Sequence, residues 1–113
     1  MRIQMKGRNG AIVNDELRSR LEKKLDKVGR QVSPLAELEI ELSEERNPSI
    51  KESQVAEATL HLKGVTLRAR EASSDMSHSV NMLAEDLARQ VKKHRAKRRA
   101  RREARAGSQE AAL

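Results

Sequence analysis

Residues 37–70 read ELEIELSEERNPSIKESQVAEATLHLKGVTLRAR. Three runs inside this stretch alternate with the two-residue period of a half-buried strand. In the first, Leu38, Ile40 and Leu42 point one way and Glu37, Glu39 and Glu41 the other. In the second, from about Val55 to Lys63, Ala58, Leu60 and Leu62 face in while Glu57, Thr59, His61 and Lys63 face out. In the third, Val65, Leu67 and Ala69 face in, and Thr66, Arg68 and Arg70 face out. Asn47-Pro48 marks a turn between the first two runs and Gly64 a tight turn between the last two, so the three runs form an antiparallel meander.

The flanks complete a β-α-β-β-β-α order. Residues 2–6 alternate as a strand, with Ile3 and Met5 on one side and Arg2, Gln4 and Lys6 on the other. Gly7 to Gly10 reads as a loop. Asn14 suits a helix N-cap, with Asp15 and Glu16 favourable in the first turn. Leu17, Leu21, Leu25 and Val28 then recur at helical spacing, and Gly29 marks the end of that helix or a point close to it. Pro34 precedes the meander. After it, Ser73, Ser74 and Asp75 offer N-caps for a second helix with the stripe Met76, Val80, Leu83, Ala84, Leu87 and Val91. Beyond His94 the composition stays helix-friendly to Ala106 without an apolar stripe, a basic helix in solvent or a disordered arm, and fraying is expected from Gly107.

The expected fold is therefore α+β. The first helix is the right-handed crossover that lets the first two strands pair in parallel. All apolar strand residues share one sheet face, so both helices cover that face. The other face carries Arg2 and Lys6 near the three glutamates, and Arg68 and Arg70 near Glu57. It reads as a self-neutralised solvent face held by cross-strand pairs. Residues 1–95 form the domain and residues 96–113 a basic extension.

The chain has 113 residues, no Cys, Trp, Tyr or Phe, and a formal charge of +7. The absent Cys excludes disulfides and thiolate chemistry. The absence of Phe, Tyr and Trp excludes base stacking on their rings, for which Arg is a partial substitute. No apolar run approaches a membrane span. Residues 1–91 hold as many acidic as basic side chains, so the whole excess lies in residues 92–113, with 9 basic and 2 acidic side chains. Such an arm finds polyanions.

The cations within the body are sorted as well. Arg20, Lys23, Lys24 and Lys27 follow i, i+3, i+4, i+7 spacing and make one ridge on the first helix, away from Glu22 and Asp26. On the second helix Arg89, Lys92 and Lys93 lie opposite the apolar stripe and lead into Arg95, Lys97 and Arg98. Two helices side by side would present both ridges on one surface, suited to phosphates. Catalysis finds little support. His61, His78 and His94 lack a metal-ligand spacing, and Gly7-Arg8-Asn9-Gly10 lacks the Lys-Ser/Thr of a P-loop.

Three groups of residues resemble one family. They are Gly7-Arg8-Asn9 with Val13-Asn14-Asp15-Glu16-Leu17-Arg18 and Leu21-Glu22-Lys23-Lys24-Leu25; Leu67-Arg68-Ala69-Arg70-Glu71 with Asp75-Met76; and Leu87-Ala88-Arg89-Gln90-Val91-Lys92-Lys93-His94. In this order they resemble the bacterial ribosome hibernation promoting factors and ribosome-associated translation inhibitors, also called sigma-54 modulation proteins, over roughly residues 1–95. The resemblance implies a fold similar to a double-stranded RNA-binding domain. It implies a cytoplasmic, ribosome-associated protein bound to 16S rRNA of the 30S subunit within the 70S ribosome. There such a protein overlaps the positions of mRNA and tRNA in starvation or stationary phase. It implies rRNA contacts from Lys23, Lys24, Lys27, Arg89, Lys92 and Lys93, with Lys6 and Arg8 as further members. No cofactor, membrane or small-molecule substrate is expected, and the protein is expected to be monomeric off the ribosome. The sequence departs from the family's usual Tyr at Ser77, small residue at His78, Asp at Asn81 and Lys at Asp86. Long members carry a second domain that dimerises ribosomes; this sequence resembles the short forms. The competing readings are a general structured-RNA-binding or RNA-chaperone module and a protein-interaction module acting on a transcription factor.

Overall fold

The computed structural model describes residues 1–111, with side chains through Ala106. Its elements are β1 (Arg2–Arg8), α1 (Asp15–Gln31), β2 (Glu37–Glu44), β3 (Gln54–Leu62), β4 (Val65–Ser73) and α2 (Met76–Ala111). One sheet has the order β1-β2-β3-β4, with β1 and β2 parallel and the other pairs antiparallel. This is the expected β-α-β-β-β-α architecture.

The core lies between the sheet and the two helices. Leu21, Leu25 and Val28 of α1 and Val80, Leu83, Leu87 and Val91 of α2 are buried against Leu38, Ile40, Leu42, Ala58 and Leu60 of the sheet. With so few large side chains, each one weighs heavily: truncating a buried Leu to Ala costs ~2–5 kcal/mol. The edge strands are less covered, and Ile3, Met5, Val65 and Leu67 are half-buried.

Local signals set the boundaries. The Asn14 side chain accepts a hydrogen bond from the Leu17 N–H at 2.8 Å and caps α1. Asp75 caps α2 by accepting from the His78 N–H at 3.2 Å. Behind that cap the Ser73 and Ser79 hydroxyls lie 2.7 Å apart, and Ser79 donates to the Gln54 carbonyl at 2.6 Å, tying the start of α2 to the start of β3. Gly64 takes φ +80° in the two-residue β3–β4 turn, a left-handed backbone that suits glycine.

Two boundaries differ from expectation. β1 continues through the expected loop to Arg8, with Gly7 paired to Leu42 and Arg8 to Ser43. Glycine is what permits this, because a side chain at Gly7 would collide with the Ala11 carbonyl oxygen. α1 ends at Gln31, close to Gly29 as expected. α2 carries through Gly107 to Ala111, where one glycine costs a helix only ~1 kcal/mol. The expected fraying at residues 112–113 lies outside the described residues. The last buried side chain of α2 is Val91, so the helix leaves the body near His94 and projects without interruption, giving a molecule 65 Å long.

Candidate nucleic-acid interface

Strand directions set how the helices lie. β1 and β4 run the same way, so α1 and α2, which follow them, start at the same end of the sheet and run side by side. Two contacts fix their rotation. A Cβ at Gly29 would sit 3.7 Å from Met1 Cε, so this flank of α1 faces the β1 edge. Gln90 donates to the Arg68 carbonyl at 2.7 Å, so that flank of α2 faces the β4 edge. The remaining flanks of the two helices face each other.

At roughly 100° per residue, Arg20, Lys23, Lys24 and Lys27 lie opposite Gly29 on α1, on the side turned toward α2. Lys92 and Arg95 lie opposite Gln90 on α2 and turn toward α1 by the same reasoning. Lys92 sits as far into α2 as α1 is long, so these two cations continue the α1 ridge past the end of α1. All six side chains are exposed and none has an ion-pair partner among the described residues. Arg89 points outward between the flanks and lies 3.8 Å from Asp86, which tempers its charge. The helical pair on α1 is Asp26–Arg30 at 2.6 Å, which borders the ridge beside Lys23.

The other expected cations do not join this surface. Lys93, Lys97 and Arg98 lie on the Gln90 flank and line a groove against the β3–β4 turn, together with Lys63 and Arg101. The expected single surface is thus two, because the α2 cations wrap around the helix and the β4 edge claims one flank. Lys6 and Arg8 stand on the open sheet face, where both contact the Glu41 carboxylate, at 3.6 and 3.0 Å. They belong with Arg70–Glu57 at 3.2 Å and His61–Glu39 at 3.5 Å, the cross-strand pairs of the neutralised face. Alternation already placed Lys6 there, since Ile3 and Met5 turn inward. Lys63 and Arg101 were not among the expected site residues. Lys63 was legible only as a turn-flanking residue, and nothing in the sequence aligns it with a helix thirty residues away.

The histidines are dispersed: His61 on the open sheet face, His78 in the first turn of α2 and His94 in the groove. No trio of possible metal ligands exists among the described residues, and none of their helices is long and apolar enough to cross a membrane.

A fold of this order with cations gathered on its helical side matches a known family. The model of the Sigma 54 modulation protein / S30EA ribosomal protein family matches residues 3–99. The chain belongs to this family. Among S30EA relatives, the ribosome hibernation promotion factor of Picosynechococcus is 28% identical over 96 residues, which cover 84% of this chain and 49% of that protein. The ribosome hibernation promoting factor of Azotobacter vinelandii is 31% identical over 83 residues, covering 74% of this chain and 73% of that one. The factor of Staphylococcus aureus is 32% identical over 97 residues, covering 84% and 48%. The chain therefore spans about half the length of the cyanobacterial and staphylococcal relatives and about three-quarters of the Azotobacter one. Two solved structures share the fold. A ribosomal subunit interface protein from Coxiella burnetii superposes with a TM-score of 0.67 at 29% identity, covering 85% of this chain and 99% of that one. The N-terminal domain of Protein Y from Thermus thermophilus superposes with a TM-score of 0.69 at 25% identity, covering 83% and 99%. The S30EA match ends at residue 99, so residues 100–111 of α2 lie beyond it.

Proposed function

We propose that this protein is a ribosome hibernation factor that binds the small (30S) subunit at the decoding region. There it occupies the path of mRNA and tRNA and keeps the 70S ribosome idle in starvation or stationary phase. It acts by occupancy, with no bond made or broken. The observation that carries this reading is the sorting of charge in a chain of the S30EA family: Lys6, Arg8 and Arg70 on the open sheet face are paired with glutamates and only Arg2 and Arg68 there lack an ion pair among the described residues, whereas all six cations of the two-helix ridge are free.

Free, exposed cations in a row are what a phosphate backbone requires. Neutralising phosphates releases counterions, and this supplies affinity without base readout. 16S rRNA is folded, which also suits a chain without Phe, Tyr or Trp. Arg20, Lys23, Lys24, Lys27, Lys92 and Arg95 are the residues assigned to rRNA, with Arg89 as a weaker member beside Asp86. The names of the relatives support the ribosome as the partner.

Sedimentation through sucrose tests the reading. The protein is mixed with ribosomes, pelleted at rising salt, and assayed for inhibition of cell-free translation. Co-sedimentation with the 30S and 70S particles and inhibition of initiation are expected. A protein that stays in the supernatant at low salt refutes the proposal, and equal affinity for any duplex RNA would make it a general RNA-binding module.

A further inference from the structure

The groove between α2 and the β3–β4 turn is separate from the two-helix ridge. Its volume is about 910 Å³, and it opens to solvent on the β4 edge. Lys63 stands on the turn side; Lys93, Lys97, Arg98 and Arg101 stand on the helix side. None of these five has an ion-pair partner among the described residues, and no carboxylate lines the groove. Its floor is apolar, formed by the half-buried Val65 and Leu67 of the edge strand.

We propose that this groove is a second RNA site, one that takes a single-stranded segment while the two-helix ridge holds folded rRNA. The inference rests on the hibernation-factor reading for its biological setting, but the site itself is argued from its own chemistry. A one-sign wall calls for a polyanion. The apolar floor then selects among polyanions. A duplex turns phosphates and sugars outward and offers the floor nothing. A single strand lays its backbone along the cations and turns base faces toward Val65 and Leu67. Arg98 and Arg101 supply planar guanidinium groups, and His94 an imidazole ring, on which a base can stack. The groove also depends on the projecting part of α2, since Arg101 lies beyond residue 99, where the family match ends. The protein would thus grip rRNA with one side of α2 and hold an unpaired strand with the other.

The test uses the full chain and a fluorescent oligouridylate of about 12 nucleotides, within the range of single-strand site sizes. Two double variants change net charge by the same amount: Lys63→Glu with Arg101→Glu in the groove, and Lys23→Glu with Lys24→Glu on the ridge. A long-range field effect would weaken oligouridylate equally in both. The groove variant is expected to lose at least ~10-fold in affinity and to flatten the log–log salt slope by ~1.4, about 0.7 for each phosphate it no longer neutralises. The ridge variant is expected to lose distinctly less oligouridylate affinity while losing ribosome co-sedimentation. Equal losses, an unchanged groove variant, or no oligouridylate binding at low salt would overturn the proposal. Tighter binding of polyglutamate than of oligouridylate would overturn it too, assigning the groove to an acidic protein. Ribosome sedimentation is scored separately, so loss of one reading leaves the other standing.

Discussion

Gln90 reaches from α2 to donate a hydrogen bond to the carbonyl oxygen of Arg68 on the edge strand, at 2.7 Å. Together with the buried Leu87 and Val91, this bond holds the rotation of α2 that sorts the cations facing α1 from those facing the β3–β4 turn. The bond is exposed, and its net worth is of the order of 1 kcal/mol. Gln90→Ala is expected to lower the thermal midpoint by about 4–8 °C with unchanged helix content, on the scale for a domain of this size. Calorimetry and circular dichroism check both. An unaltered midpoint would mean that Leu87 and Val91 alone set the rotation.

Two neighbouring polar residues at the start of α2 predict opposite outcomes. Ser79 is fully buried and satisfies the Gln54 carbonyl at 2.6 Å. Ser79→Ala removes this bond and the hydroxyl contact with Ser73 inside a buried site and is expected to destabilise by ~1–3 kcal/mol. The Asn81 side-chain oxygen is buried without any partner. Asn81→Ala removes the orphan acceptor and improves helix propensity, so it is expected to be neutral or stabilising by up to ~1 kcal/mol. Urea denaturation of the two variants side by side gives the comparison. If both lose stability equally, the Asn81 oxygen has a partner after all.

The ion pairs of the open sheet face predict a functional silence. Glu41 engages both Lys6 and Arg8, so these cations are partly committed before any RNA arrives. Lys6→Gln with Arg8→Gln is expected to leave ribosome co-sedimentation within about twofold. The cost to stability should stay below ~1 kcal/mol, because the cations are solvent-exposed and water screens the pairs. A loss of ribosome binding comparable to that of a ridge variant would return these residues to the interface.

Most of the fold was legible because every element announces itself locally. Glu37 to Leu42 can be half-buried only as a strand, and Leu17 to Val28 only as a helix. One polar face along all the strands then forces both helices onto the other. The two-helix ridge was legible for the same reason, since spacing alone puts Arg20, Lys23, Lys24 and Lys27 together. What spacing cannot express is which neighbour each flank of a helix meets. Lys93 and Lys92 are adjacent in sequence yet turn to different surfaces, and that division depends on Gln90 meeting Arg68 from across the chain. The same limit hid Lys63, whose role exists only because α2 overruns the β3–β4 turn. Boundaries at Gly7 and Gly107 were misplaced because glycine there serves close approach or is simply tolerated, rather than breaking an element.

Reversing two ridge charges predicts a loss of function without a loss of fold. Lys23 and Lys24 are exposed and flank the buried Leu21 and Leu25 without entering the core. Lys23→Glu with Lys24→Glu is expected to weaken ribosome co-sedimentation at least ~10-fold, since each reversed site converts a phosphate attraction into a repulsion. The thermal midpoint should stay within a few degrees. Unchanged binding would mean that rRNA meets a different surface.

Truncation after Arg95 separates the body from the arm. The last buried side chain of α2 is Val91, so the shortened chain keeps its whole core and its midpoint should hold within a few degrees. It loses Lys97, Arg98, Arg99, Arg101, Arg102 and Arg105 but keeps the two-helix ridge. Ribosome binding is therefore expected to persist at low salt and to fall at high salt relative to the full chain. The log–log salt slope should be shallower by ~0.9 for each duplex phosphate that the arm had neutralised. A titration of co-sedimentation against salt measures that slope directly. A truncated protein with the full slope would show that the projecting helix neutralises no phosphate, and the ridge would then carry the whole electrostatic attraction by itself.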